Sequence, residues 1–276
     1  MNLASKISIK DLLKEYQIQP SKRLGQNFLI DKEAVKKIIG AADLGPEDVV
    51  LEVGPGLGVL TQELAEKAKK VIGIEKDPKM IEILQKTLEG SKNIEIVRGD
   101  VLKINLKYHV PNTKYKVVGN LPFYLAAPVI RQFLEAEKPP EKMVLVVQKE
   151  VGQRICAKPP EMSILAVSVQ IYAKPEIVSY ISKKSFWPSP EVDSAIIKIT
   201  INKKQLTTDR NLFFKIVKAG FSQPRKQLIN NLSKKLILNR VKVEQWLLEN
   251  NVQPTQRAET LEVQDWINLT KTIKIN

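Results

Sequence analysis

Short apolar runs alternate with amphipathic stretches from about residue 46 onward. Runs rich in Val and Ile predict strands, and apolar residues that recur every three or four positions predict helices. Strands are predicted at 49–53, 71–75, 94–97, 116–120 and 143–148, and two antiparallel edge strands are predicted within 170–182 and 193–200. Alternation of strands and helices is typical of a mostly parallel sheet flanked by helices. The pattern therefore predicts an α/β fold with about seven strands in one sheet.

The pattern changes after Thr200, where no further strand is predicted. Asp209 can cap a helix that runs to about Ala219, and three more helical patterns follow near 224–237, 242–250 and 262–273. A linker is expected near 202–208. We therefore predict a larger α/β domain over 1–205 and a small all-α domain over 206–276.

The composition favours a polyanionic partner. The chain has 44 Lys and Arg against 30 Asp and Glu, a formal charge of +14, and such an excess attracts nucleic acid by neutralising phosphates. No apolar run approaches the ~20 residues needed to cross a bilayer, so no membrane partner is expected. With Cys156 and His109 as the only residues of their types, neither a disulfide nor a metal site is expected. Cytoplasm is the expected compartment.

A glycine-rich turn follows the first predicted strand. Gly54, Gly56 and Gly58 allow backbone N–H groups to approach a ligand, because glycine lacks a Cβ and tolerates positive φ. Glu75 ends the second strand, where a carboxylate can accept both hydroxyls of a ribose. These features suit either NAD or S-adenosylmethionine (SAM). Asp100, after the third strand, can accept from an adenine amine and favours a methyltransferase pocket over a dehydrogenase.

A proline-containing turn, Asn120-Leu121-Pro122-Phe123, ends the strand at 116–120. Proline fixes its own φ and biases the preceding residue toward an extended conformation, so the turn can hold the Asn120 oxygen and a neighbouring carbonyl rigidly. Two such acceptors suit an adenine N6 amine, whose lone pair is delocalised into the ring. Hydrogen bonds from its two protons would favour a pyramidal nitrogen, while Phe123 stacks on a flipped base.

The motifs of the chain resemble, in order, those of the KsgA family of ribosomal RNA adenine dimethyltransferases. The matching segments are LGQNFLID (24–31), LEVGPGLGVLT (51–61), IEKD (74–77), RGD (98–100), NLPF (120–123), SFWPSPEVDSA (185–195) and RAETL (257–261). The resemblance covers nearly the whole chain and implies a Rossmann-like, class I SAM-dependent methyltransferase fold. The family commonly has Tyr where Phe123 stands, and often a basic residue where Pro224 stands.

The resemblance also implies roles for individual residues. The segment 24–31 is expected to fold over the cofactor, with Asn27 and the backbone of Leu29 in contact with it. Phe186 is expected to be a second aromatic residue against the target base, beside the catalytic turn that Asn120 opens. The residues expected to hold SAM are Asn27, Leu29, Gly54, Gly56, Glu75, Asp100 and Asn120.

The C-terminal domain is expected to contact RNA through its cations. Residues 203–242 contain eleven Lys and Arg and a single acid, Asp209. A charge run of one sign on helices favours an RNA backbone, although such contacts position a substrate without reading its bases. The residues expected to contact RNA are Lys22, Arg23, Arg225, Lys226, Lys234 and Lys235.

The resemblance implies a monomer that adds two methyl groups to each of two adjacent adenosines near the 3′ end of small-subunit ribosomal RNA, in an immature small subunit. Two alternatives stay open. One is a methylase of the erythromycin-resistance type, which modifies large-subunit RNA and shares the QNFL and Asn-(Leu/Ile)-Pro-aromatic elements, and the other is a non-catalytic assembly factor that binds RNA. The segments FWPSPEVDSA and RAETL favour the small-subunit type.

Overall fold

A computed structural model describes residues 3–105, 109, 114–202 and 209–273. Within these residues the strands are β1 (Phe28–Leu29), β2 (Val49–Val53), β3 (Lys70–Glu75), β4 (Ile94–Arg98), β5 (Tyr115–Asn120), β6 (Lys142–Gln148), β7 (Ala173–Ile181), β8 (Phe186–Trp187) and β9 (Ser194–Ile201). The helices are α1 (Lys6–Glu15), α2 (Lys32–Ala42), α3 (Val59–Ala65), α4 (Pro78–Thr87), α5 (Ala126–Leu134), α6 (Lys149–Ile155), α7 (Ile164–Gln170), α8 (Arg210–Gly220), α9 (Leu228–Leu236), α10 (Arg240–Glu249) and α11 (Val263–Thr272).

The chain divides into two compact units. The first comprises Met1–Gly152 and Pro175–Ile201, and the second comprises Gln153–Lys174 and Asn202–Asn276. Residues 153–174 therefore group with the C-terminal helices, whereas the sequence analysis assigns them to the first domain. The predicted boundary at 205 and 206 lies outside the described residues.

The first unit is built on a seven-stranded sheet in the order β4-β3-β2-β5-β6-β9-β7. The five strands from β4 to β6 are parallel, and β9 runs antiparallel to β6. All five residues of β2 are buried, as expected for a central strand that is covered on both faces. Strands β1 and β8 form a separate antiparallel pair, with Leu29 opposite Phe186.

The predicted seven-stranded, mostly parallel α/β sheet is confirmed, and one detail of it is wrong. The segment 193–200 is predicted to be an edge strand, but β9 lies between β6 and β7, so β7 alone forms the edge on that side of the sheet and β4 forms the opposite edge. Ser194, Ala195, Ile196 and Ile197 are all buried, so both faces of this part of β9 are covered, as expected for a strand inside the sheet.

The second unit packs its helices around large apolar side chains. Asp209 caps α8, as predicted, by accepting from the backbone N–H groups of Asn211 and Leu212. Trp266 of α11 is fully buried, and a Cβ added at Gly220 would lie 2.4 Å from its ring. Only glycine therefore fits at the end of α8. Over 209–273 the described elements are helices, in agreement with the predicted all-α C-terminal domain.

Candidate active site

Four consecutive strands of the sheet bring their carboxyl ends to one edge. In the register of the sheet, Val53 of β2 lies opposite Ile74 and Gly119, and Glu75 lies opposite Arg98. Residues that directly follow β2, β3, β4 and β5 therefore meet there, where open α/β sheets bind their ligands. They line a pocket in the first unit that contains about 1120 Å³ of empty space, part of it open to solvent.

The glycines of the turn after β2 have two different roles: some leave space for a ligand, and one allows close packing. Gly54, Gly56 and Gly58 have φ of 69°, 58° and 88°. A Cβ at Gly54 would meet no atom within 4 Å, so the space above this peptide is open. A Cβ at Gly58 would instead lie 3.2 Å from the Thr87 hydroxyl, which makes Gly58 a packing residue. Gly54 and Gly56 line the pocket, as the sequence analysis expects for a cofactor turn.

Glu75 is held at the end of β3 by three backbone N–H groups. One carboxylate oxygen accepts from Gly56 at 3.1 Å, and the other accepts from Lys76 at 2.7 Å and from Asp77 at 2.8 Å. Burial raises the pKa of this carboxyl, and the three N–H bonds act in the opposite direction. The result is an acceptor of fixed orientation that joins the end of β3 to the glycine-rich turn.

Asp100 lies in the pocket wall after β4, where its carboxylate accepts two hydrogen bonds from the protein. It accepts from the Lys76 ammonium at 2.9 Å and from the backbone N–H of Leu102 at 3.1 Å. The hydrogen bond from Lys76 lowers the pKa of Asp100, so this carboxylate is ionised over the neutral range. Each of its oxygens keeps a lone pair for a further donor such as an adenine amine.

The orientation of Asn120 is fixed by a residue far away in the chain. Its amide nitrogen donates to the backbone carbonyl of Asn27 at 2.9 Å. Because a carbonyl can only accept, the nitrogen of Asn120 must face Asn27, and the side-chain oxygen is left as the free acceptor. The segment that carries Asn27 packs closely against the turn after β5, since a Cβ at Gly25 would lie 2.9 Å from the Cβ of Pro122.

The turn after β5 continues as a rigid apolar corner. The backbone N–H of Leu121 donates to Val146, and that of Leu125 donates to the Pro122 carbonyl, which closes a 3₁₀ turn over Phe123–Leu125. Leu121 is buried, and Phe123 is partly exposed in the pocket wall. Phe186 of β8 is only 4% exposed and lines the same pocket. The structure thus brings both predicted aromatic residues to the cavity that Asn120 faces.

The expected covering segment is tied to the site at both of its ends. Gln26 donates to the Asp77 carboxylate at 2.8 Å. Asp31 caps α2 and accepts from the Ser185 hydroxyl at 2.7 Å, a hydrogen bond that lowers the pKa of Asp31. Between these anchors, Asn27 and Leu29 line the pocket. All residues expected to hold the cofactor therefore lie around one cavity.

Sequence reasoning missed Glu52, which also lines the pocket. It is the fourth of the five residues of the buried strand β2, is 1% exposed, and its Oε2 atom has no hydrogen-bond partner among the described residues. Burial raises the pKa of Glu52 to about 8, and the nearby Glu75 carboxylate acts in the same direction. The available signal was an acidic residue inside an otherwise apolar strand. Such an orphaned buried oxygen suits a ligand that carries positive charge.

The residues expected to contact RNA fall in both units. Lys22 and Arg23 are exposed in the first unit and directly precede Leu24, which lines the pocket. Arg225, Lys226, Lys234 and Lys235 are exposed in the second unit. Across the described ranges, no group of three His, Cys, Asp or Glu residues could hold a metal ion. No helix in those ranges is both long and apolar enough to cross a membrane.

Comparison with known proteins places these features in a family. The family model described as "Ribosomal RNA adenine dimethylase" matches residues 18–274. A ribosomal RNA small subunit methyltransferase A from Dehalococcoides mccartyi is 42% identical over 263 residues, which cover 94% of this chain and 90% of that protein. Its counterpart in Moorella thermoacetica is 38% identical over 276 residues, covering 95% and 96%.

Two solved structures share the fold and a moderate sequence identity. A dimethyladenosine transferase from Plasmodium falciparum is 27% identical, with a TM-score of 0.76, and the match covers 88% of this chain and 95% of that one. The 23S rRNA methyltransferase ErmE is 28% identical, with a TM-score of 0.74 and coverages of 89% and 98%. The backbone fold is therefore shared with one protein named for dimethyladenosine and with another named for 23S rRNA.

Proposed function

Because the chain belongs to the ribosomal RNA adenine dimethylase family, we propose that it transfers methyl groups from SAM to adenine N6 in small-subunit ribosomal RNA. The products are two adjacent N6,N6-dimethyladenosines near the 3′ end of that RNA. The observation that carries this proposal is the fixed orientation of Asn120, whose side-chain oxygen is left free by the bond of its nitrogen to the Asn27 carbonyl. The relatives that carry the name small subunit methyltransferase A favour the small-subunit target.

The pocket fits SAM on the properties of its own residues. Gly54 leaves open space above the backbone, Glu75 offers a fixed carboxylate for a ribose, and Glu52 offers a buried oxygen without a partner. When bound, SAM supplies an electrophilic methyl group on a positively charged sulfur. The residues proposed to hold it are Asn27, Leu29, Gly54, Gly56, Glu75, Asp100 and Asn120.

The catalytic corner acts by orientation and hydrogen bonding. Asn120 accepts a hydrogen bond from the target N6 amine through its side-chain oxygen, and a carbonyl of the Leu121-Pro122 turn accepts the second. These bonds favour a pyramidal nitrogen and stabilise the positive charge that develops on it, before the proton leaves to solvent. Phe123 and Phe186 pack against the flipped base and exclude water from it.

Recognition of the RNA is proposed to rest on both units, with 1–205 as the methyltransferase domain and 206–276 as a basic helical domain. The phosphates are bound by Lys22, Arg23, Arg225, Lys226, Lys234 and Lys235. These contacts set affinity but leave the choice of adenine to the pocket. We propose that the protein works in the cytoplasm as a monomer on an immature small subunit. Sedimentation of the protein alone, and with subunits at different stages of maturation, tests these two statements.

The proposed target is tested with purified ribosomal subunits. Small and large subunits from cells that lack the enzyme are incubated with the protein and SAM, and the RNA is digested and analysed by mass spectrometry. We expect N6,N6-dimethyladenosine in small-subunit RNA alone. Methylation of large-subunit RNA would indicate the erythromycin-resistance type instead. Tight RNA binding that is independent of SAM, with no methylated adenosine, would indicate a non-catalytic assembly factor.

A further inference from the structure

The turn between α9 and α10 places an unusual residue in a left-handed conformation. The backbone N–H groups of Ile237 and Leu238 both donate to the Ser233 carbonyl, which closes α9. Ile237 has φ of 56° and ψ of 46° in this turn. Helices commonly end with a left-handed residue of this kind, which is usually glycine because a Cβ is disfavoured there.

The side chain of Ile237 contributes almost no buried apolar surface to the fold. It is 92% exposed, the highest value among the exposed large apolar side chains of the described residues. A β-branched residue in the left-handed region is a genuine outlier, and strain of this kind is concentrated at functional sites. Val241, in the first turn of α10, is also 61% exposed. The turn between α9 and α10, together with the start of α10, therefore exposes two apolar side chains to solvent.

The same turn is surrounded by positive charge. Between Asp209 and Glu244 the sequence has nine Lys and Arg and no acidic residue. Four of these cations flank Ile237. Lys234 and Lys235 lie in the last turn of α9, Arg240 and Lys242 lie in the first turn of α10, and all four are exposed. Since cations are unfavourable at a helix N-terminus, the two on α10 add to a positive field that favours an anionic partner.

We propose that this turn, residues 234–242, is a docking tip for double-helical ribosomal RNA. The four cations bind phosphates, and Ile237 with Val241 packs against the ribose surface of the wide, shallow minor groove, which A-form RNA exposes. The charge around the tip favours RNA over a protein partner. The inference rests on ribosomal RNA being the substrate of the proposed function, and it adds a contact that depends on shape rather than on charge.

The substitution Ile237→Gly separates this role from a structural one. Glycine suits the left-handed position, and the deleted side chain buries almost no surface, so this variant is expected to unfold at the same temperature as the wild type or at a higher one. Binding is measured with the full chain, without cofactor, to a protein-free 3′-terminal fragment of small-subunit RNA over a range of salt concentrations. Leu248→Ala is the matched control, because it removes an exposed apolar side chain from the other end of α10.

We expect Ile237→Gly to bind the RNA about 5–30-fold more weakly, with an unchanged slope of log affinity against log salt, because no charge is removed. Leu248→Ala is expected to stay within about twofold of the wild type. Wild-type affinity in Ile237→Gly overturns the proposal. So does a loss seen on intact subunits but not on free RNA, since the tip would then contact a protein. The proposed function is tested separately, by adding SAM and small subunits to the same wild-type protein and measuring methylation.

Discussion

The two units of the chain hold their charge in different ways. The first unit has 27 Lys and Arg against 23 Asp and Glu, and two carboxyls that line its pocket, Glu52 and Glu75, are buried near the ends of β2 and β3. The second unit has 17 Lys and Arg against 7 Asp and Glu in little more than half as many residues, and its cations on α9 and α10 are exposed.

This difference predicts that a single substitution has a larger effect on function in the pocket than on the basic helices. In the pocket, Glu75, Asp100 and Asn120 are held by hydrogen bonds to the protein, so one substitution removes an interaction that no neighbouring residue replaces. On the basic helices, the cations are exposed to solvent, so each contribution is small, additive and sensitive to salt. Substitutions in the pocket should therefore act on rate and cofactor affinity, and those of the exposed cations on RNA affinity alone.

The largest effect is expected from Asn120→Ala. Loss of the oriented acceptor should lower kcat about 10²–10³-fold, the usual consequence of removing one preorganised hydrogen-bonding group. Affinity for the product S-adenosylhomocysteine, measured by calorimetry, should change by only a few fold. The assay is incorporation of labelled methyl groups into small subunits. A variant that retains the wild-type rate would remove Asn120 from the mechanism.

Glu75→Ala is expected to act on the cofactor instead. A hydrogen bond to a charged group contributes about 1.5–3 kcal/mol, so S-adenosylhomocysteine should bind about 10–100-fold more weakly. Calorimetric titration measures this directly. Glu95→Ala is the control, because Glu95 lies on β4 outside the pocket and forms an exposed pair with Lys70. Equal affinity in Glu75→Ala and wild type would contradict the assignment of the pocket.

Glu52→Gln should change how stability depends on pH. Because burial raises the pKa of Glu52 to about 8, the unfolded chain loses this proton first, and the native state loses stability as pH rises from about 4.5 to about 8. Glutamine cannot ionise, so the variant should become more stable than the wild type by up to about 5 kcal/mol at pH 8 and differ little near pH 4.5. Denaturant unfolding at a series of pH values measures this, and parallel stability curves would disprove it.

The smallest effect is expected from the paired change Lys234→Gln and Lys235→Gln. Two fewer phosphate contacts should weaken RNA binding by about tenfold at low salt and reduce the salt slope by about 1.5–2. The rate at saturating RNA should be unchanged. Filter binding over a salt series gives both quantities, with Lys69→Gln in the first unit as a control of equal chemistry. An unchanged slope would exclude these lysines from the RNA contact.

Much of the fold could be predicted because local patterns agree with it. The strand at 49–53 and the cap of α8 by Asp209 are predicted and observed, since both depend on neighbouring residues alone. The position of β9 inside the sheet could not be derived from its alternation, because that pattern is similar for an edge strand and an inserted one. The uninterrupted apolar run at 195–197 was the stronger sequence signal, because such runs are typical of strands that are covered on both faces.

Most residues of the candidate site could be predicted from the sequence, but the contacts between them could not. Glycine, carboxylate and asparagine at strand ends mark a pocket from sequence, and the family that they suggested is confirmed. Their individual roles stay predictions. The hydrogen bond between Asn27 and Asn120 spans 93 positions, and no local pattern encodes it. Glu52 was hidden because a strand pattern does not show which side chain faces a cavity.

The central claim is that one pocket holds SAM with its methyl group toward the oxygen of Asn120. A crystal structure of the protein with SAM tests it most directly. We predict the ribose on Glu75, the adenine near Asp100 and the methyl carbon facing Asn120, with room for a purine beside Phe123 and Phe186. A methyl carbon directed away from this corner, or a corner too narrow for a nucleobase, would contradict the account.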